Sequence, residues 1–200
     1  MKISFHIILL VLLLIFVCSF TNNNLEKKKI SNQLYSFSIP SDWECGHPGK
    51  IEDCSVPIER KDSLYHIYYL QWRSPSWDAP FWINIESYQR LDGKLITIEE
   101  IEANIITRET LIASSNNLNN FNKVEVSNTA NQKRFIIKKE SIEINVRTGK
   151  KTVIVSEVYL LYKSKDKVHC LRIFVHDEQY ILPDIQLLVN EILDSFIANE

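Results

Sequence analysis

From residue 35 onward the chain alternates apolar and polar positions with the periods of strands and helices. Tyr35, Phe37 and Ile39 alternate with Ser36 and Ser38, which buries one face and wets the other. Pro40-Ser41-Asp42 ends that strand, because proline has no N–H to give the ladder. Leu64 to Trp72 is rich in Tyr and Ile, and Phe81 to Tyr88 sets Phe81, Ile83 and Ile85 on one side; both read as strands. A helix is predicted to open at Thr97. Thr97 and Glu100 have the spacing of a capping box, and Ile96 and Ile101 that of a hydrophobic staple. Ile98, Ile101, Ile105 and Ile112 form its apolar stripe, with Glu99, Glu102 and Arg108 expected in solvent. Ser114 to Asn122 lacks any period and reads as a loop.

The second half is predicted to be mostly sheet. Val124 and Val126 alternate with charges, and Phe135 to Val146 carries apolar residues whose parity switches near Lys138-Lys139-Glu140. A two-residue period changes face only through a bulge or bend, so one is expected there. Thr148-Gly149 marks a hairpin into Thr152 to Tyr162, the most apolar strand and therefore expected to be central. Ser164 to Lys167 turns into Val168 to Val175. Ile185, Leu188, Val189, Ile192 and Phe196 then keep helical spacing behind Pro183, placed in the first turn. Tight turns imply antiparallel pairing, and two one-faced helices imply layers over the sheet. The predicted class is α+β, an antiparallel β-sheet flanked by helices.

The first twenty residues follow a different rule. Ile3 to Phe20 is nearly uninterrupted apolar chain, most uniform from Ile7 to Val17, and ends on Asn22-Asn23-Asn24 and Lys27-Lys28-Lys29. That is the form of a secretory signal, and it is short for a permanent span, which needs about 20 apolar residues. Cys18 sits where a lipidated cysteine would, after an apolar core and before a polar tether, although Val17 is larger than the usual preceding residue. Cleavage after Ser19, or an uncleaved leader serving as anchor, are the alternatives. The expected organisation is a signal and lipobox segment over 1–18, a flexible tether over 19–33 and one domain over 34–198. The expected location is exported: the periplasmic or outer-membrane face as an anchored lipoprotein, or secreted and soluble.

Composition narrows the classes further. The 200 residues are 45% hydrophobic and 24% charged, which is globular, and the net charge of −2 supplies no basic field for nucleic acid. With four cysteines and four glycines the chain is neither a dense disulfide scaffold nor a glycine-rich repeat. No G-x-S-x-G, H-E-x-x-H, Walker or G-x-G-x-x-G motif occurs.

The stretch Tyr35-Ser36-Phe37-Ser38-Ile39-Pro40-Ser41-Asp42-Trp43 resembles the F-x-I-P-x-x-W entry strand of PsbP-like domains. This group includes small bacterial envelope lipoproteins and a Ran-binding nuclear transport factor of the same fold. The end is similar too, with hairpin strands from Val158 to Val175 and a helix closing on Ile192-Leu193-Asp194-Ser195-Phe196. The resemblance spans about Leu34 to Ile197 and implies an α/β/α sandwich that docks onto partners. The Trp43 to Leu64 excursion departs from the pattern.

Two stretches carry candidate chemistry. Cys45 and Cys54 are expected to form a disulfide in an exported chain, worth about 2–3 kcal/mol for so short a loop. A metal held with His47 and Asp53 is the less favoured reading, since the spacing matches no familiar zinc pattern. Cys170 reads as a buried thiol. Gln71 to Trp82 concentrates three tryptophans and two prolines, so Trp72, Arg73, Trp77 and Trp82 are the candidate partner-binding residues; the alternative is that Trp72 and Trp82 pack on the core. No cofactor, metal or catalytic residue is expected. The leading functional expectation is a non-enzymatic, membrane-tethered envelope lipoprotein that binds a protein. A small-ligand carrier with an apolar pocket between helix and sheet is the alternative, and a hydrolytic enzyme the third.

Overall fold

The computed structural model describes residues 26–46, 57–75, 81–118, 121–145 and 149–199. The leader, Cys18, Cys54 and Trp77 lie outside them. Five strands form the first half: β1 (Lys27–Ser31), β2 (Tyr35–Pro40), β3 (Glu44–Cys45), β4 (Ile58–Lys61) and β5 (Tyr65–Arg73). They are followed by β6 (Trp82–Arg90), helix α1 (Ile98–Ser115), β7 (Asn122–Asn128), β8 (Gln132–Asn145), β9 (Gly149–Ser164) and β10 (Lys167–His176). A four-residue helix α2 (Asp177–Tyr180), helix α3 (Pro183–Asp194) and β11 (Ile197–Ala198) complete the chain. Among the described residues no helix is long and apolar enough to cross a membrane.

The central sheet runs β5-β6-β10-β9-β8-β7, with β3 and β4 sharing the outer edge of β5, and every pair is antiparallel. A second sheet, β1-β2-β11, lies over one face. The α+β class is therefore as predicted, with β9 in the interior. One outer layer is α1 alone. The other is a three-stranded sheet plus α3, where the sequence had suggested helix only.

Strand parity sorts the side chains between two cores. Ile83, Ile85, Val158, Leu160, Leu171 and Ile173 face the small sheet and α3, with Val189, Ile192 and Phe196 closing over them. Tyr88, Phe135, Ile137, Tyr159, Leu161 and Val168 face α1, against Ile98, Ile101 and Ile105. Strands buried on both faces need apolar side chains at consecutive positions, and Val158 to Leu161 has them.

Four local expectations change. First, β1 occupies residues placed in the flexible tether: Lys27 and Lys29 point outward, Lys28 shares the half-buried side with Ile30, which packs on the core, and Lys27 to Ser31 pair with Pro40 to Ser36. Second, β8 and β9 keep one register from Gln132↔Tyr162 to Asn145↔Gly149, so no bulge lies at 138–140; the register shift is in β7, between Glu125 and Ser127. The switch is a true change of face: Phe135 and Ile137 face α1, as does Lys139, which pairs with Glu109 and Glu157, whereas Ile142 has the parity of Ile136 on the other side.

Third, the capping box is half formed. Thr97 Oγ1 accepts the Glu100 N–H at 3.2 Å, while the Glu100 carboxylate accepts instead from the Tyr65 hydroxyl at 2.6 Å and the Arg90 guanidinium at 2.6 Å. Fourth, Glu102 is buried. Lys123 on β7 and Lys133 on β8 (2.8 Å) reach it, and although burial opposes ionisation, the two ammonium groups outweigh it and hold the carboxyl below the usual range.

Candidate functional site

A groove of about 450 Å³ opens between the middle of α1 and the β4-β5-β6 end of the sheet. Its position follows from how α1 is anchored. Asp92 grips Arg90 through two bonds of 2.9 and 2.7 Å, Arg90 and Tyr65 both donate to Glu100, and Asn104 donates to the Tyr65 hydroxyl at 3.1 Å. Arg90 and the Lys94 N–H hold the Asp92 carboxyl far below its ordinary value. This polar chain fixes one end of the helix to β5 and β6. Beyond Asn104, the helix and the outer strand β4 leave the groove between them.

Ile67 and Ile105 give the groove an apolar floor, and Leu64 stands exposed at its mouth. Tyr65 and Tyr88 form walls. Glu86 sits below, accepting from the Tyr88 hydroxyl and from Arg60 at 2.8 Å; Arg60 also lies 5.2 Å from the centre of the Tyr69 ring. At the helix side Arg108 meets Glu109 through Nε at 3.4 Å and turns the rest of its side chain along the groove. The arrangement offers an apolar surface bordered by guanidinium groups, suited to binding.

Behind Arg108 lies a buried ion cluster. Glu157 accepts from the Tyr159 hydroxyl at 2.5 Å and from Lys139 at 3.0 Å, with Arg172 at 3.8 Å; Lys139 also pairs with Glu109. Burial works against the Glu157 charge, but Arg172 and Lys139 prevail and keep its carboxyl below the usual range. Burial beside that carboxylate pushes the Tyr159 hydroxyl well up.

On the opposite face Ser87 Oγ lies 2.8 Å from His169 Nδ1, a separation typical of a nucleophile and its base. Both side chains are enclosed beneath the small sheet, with Tyr35 and Phe196 rings 6.2 and 5.8 Å from the imidazole. Burial, with nearby Lys167, lowers the His169 pKa to about 4. The arrangement serves as a strut of the core. Sequence reasoning placed His169 in a strand but had no signal for Ser87, which is 82 residues away.

The sequence-predicted patch does not converge. Trp72 is 1% exposed, edge-on to Phe37 at 5.0 Å in the small-sheet core, so it leaves the candidate set; its even position on β5 turns it to the closed face. Arg73 and Trp82 are cross-strand partners on the other face, where Arg73 pairs with Glu44 at 3.2 Å and Trp82 stacks on Phe174 at 5.2 Å. Trp77 lies outside the described residues. Cys45 sits in β3 opposite Trp72, and the expected bridge to Cys54 falls outside with its partner. Cys170 is a buried free thiol, as read, and burial first, then Glu86, raises its pKa to about 12. Among the described residues no group of three or more metal-ligating side chains comes together.

No family model matches the sequence, and no curated protein matches it. Two solved structures are similar in arrangement. PsbP from the cyanobacterium Synechocystis aligns with TM-score 0.47 at 10% identity over 88% of this chain and 95% of its own. LpqN, involved in cell envelope biogenesis in Mycobacterium tuberculosis, aligns with TM-score 0.43 at 11% identity over 92% of this chain and 96% of its own. Likeness at this level describes the order of elements and transfers no activity, ligand or partner.

Proposed function

We propose that this chain is an exported, membrane-tethered binding module of the cell envelope, without catalytic activity, whose docking site is the groove between α1 and β4-β6. Export is supported by the apolar run Ile3 to Phe20 and the polar chain after it, with Cys18 as the lipidation candidate. The observation that carries the binding reading is where the groove lies: on the α1 face, while the N-terminal strand β1 belongs to the small sheet on the other face. A domain held by its N-terminus thus keeps its docking site away from the layer that carries the tether. A protein segment is the first occupant considered. A small ligand is the second, favoured by the groove's volume of about 450 Å³, which is that of a small-molecule site, and by its position between helix and sheet.

The test uses a photo-crosslinking residue at Leu64, in the mouth of the groove, and another at Leu187, exposed on α3. In intact cells, adducts should form from position 64, vanish when Asn104→Trp fills the groove, and be absent from position 187. Adducts that persist with Asn104→Trp would overturn the groove as the site. Recovery of the chain from the soluble cytosol would overturn export.

A further inference from the structure

The lining of the groove points to a class of ligand. Arg60, Lys61 and Arg108 face Asp62 and Glu86 around it, three cations against two carboxylates, a surplus of one positive charge. The two acids are already engaged. Asp62 Oδ1 accepts the N–H groups of Leu64 and Tyr65 at 2.7 and 2.6 Å, forming the turn into β5, and Glu86 is held by Tyr88 and Arg60. Arg108 is engaged differently. Its ion contact is through Nε to Glu109; among the described residues no carboxylate lies within ion-pair distance of its two terminal nitrogens, and Glu86 across the groove acts on it only at longer range. A guanidinium fork with terminal donors to spare, beside an apolar floor, matches the two parts of an amphiphile.

We propose that the groove binds a small amphiphilic monocarboxylate, with its carboxylate on the terminal nitrogens of Arg108 and its branched apolar body against Leu64, Ile67 and Ile105. This assignment rests on the ligand reading of the groove. A single negative charge matches the surplus. A phosphate dianion would exceed it and lie against Glu86, and an amine would meet two guanidinium groups. Asn104, exposed on the rim of α1, spends its Nδ2 on Tyr65 and keeps its carbonyl oxygen. Tyr65 and Tyr88 enclose the apolar body from the sides.

The probe is 4-methylpentanoate, with 4-methylpentanamide as its uncharged counterpart, titrated calorimetrically into the exported protein while the methyl NMR signals of Ile67 and Ile105 are followed. The acid should bind at least about tenfold more tightly than the amide, the gain expected of a charge-assisted fork, and should move both methyl signals. Arg108→Met should abolish that preference, bringing the acid down to the affinity of the amide. Arg60→Met, at the exposed rim, should weaken the acid by exposing the Glu86 charge, and it keeps the test readable if Arg108→Met disturbs folding. Equal affinities for acid and amide, no binding of either, or methyl shifts confined to other residues would overturn the assignment. Should the acid fail to bind while the Leu64 adducts still form and still vanish with Asn104→Trp, the carboxylate assignment falls and the docking site stands. Failure of both removes both.

Discussion

The two faces of the central sheet solve the same covering problem with different chemistry. The face under β1-β2-β11 and α3 is closed by aromatic and aliphatic side chains: Trp72 on Phe37, Tyr35 on Phe196, Ile83 and Ile173 beneath them. The face under α1 buries a smaller apolar core and adds Glu102, Glu109, Lys139, Glu157 and Arg172, and leaves a groove at one end. Charges taken out of water gain little net stability even when well paired. They do fix the position of a single helix on a broad sheet, where an all-apolar contact would tolerate sliding. The closed face carries stability, and the α1 face carries placement and, with it, the groove.

Trp72→Ala should show the largest effect on this contrast. It deletes a fully enclosed indole from the closed face, and large-to-small core changes of this kind cost about 3–5 kcal/mol. Denaturant unfolding should show that loss, while the methyl signals of Ile67 and Ile105, on the opposite face, keep their positions in the protein that remains folded. A cost below about 1 kcal/mol would mean that Trp72 is not part of the core, and would return it to the candidate binding patch.

Acid should separate the faces in order. His169 is buried and neutral, its pKa lowered from 6.5 to about 4, so the unfolded chain binds the proton first. Its contribution is complete above pH 6.5 and is lost as pH falls toward 4, about 3 kcal/mol in all. Glu102 and Glu157 also have depressed values, but as acids, so their contribution is intact above 4.5 and disappears only at lower pH. Between these limits amide exchange should quicken in β2, which packs on His169, before it quickens in α1. His169→Gln should flatten the stability profile from pH 6.5 to 4.5 and leave the steeper fall below it. An unchanged profile in that variant would remove His169 from the account.

How much of this was readable in the sequence depended on whether one chain segment held the signal. The periodicities of β2, β5, β6, α1, β10 and α3 are local, and each lies where its pattern placed it. Lys27 to Ser31 reads as solvated tether because three of its five residues are lysine; only pairing with β2 makes it a strand. Glu102 and Lys139 break an apolar pattern, and their partners lie 18 or more residues away, so one read as solvent-facing and the other as a bulge. The tryptophan-rich stretch failed for a simpler reason: Trp72 and Trp82 lie on opposite faces of the sheet, as strand parity dictates once the pairing is known. The groove had no local signal. Arg60, Glu86 and Arg108 come from three elements, joined only by the way α1 is anchored.

That anchoring supplies the smallest and sharpest prediction. A complete capping box would couple Glu100 to Thr97, whereas the structure couples it to Tyr65 and Arg90. In double-mutant cycles, Glu100→Gln with Tyr65→Phe should show an interaction of about 0.5–1 kcal/mol, and Glu100→Gln with Thr97→Ala should be additive. Thr97→Ala alone should cost about 1 kcal/mol through the lost bond to the Glu100 N–H. The Tyr65 pair should matter to the groove as well, since Tyr65 is both the acceptor for Asn104 and a wall of the groove; its loss should broaden the Ile105 methyl signal while Thr97→Ala leaves it sharp. Coupling to Thr97 instead would mean that α1 is held by its own first turn, and that the groove beside it is positioned by the helix alone.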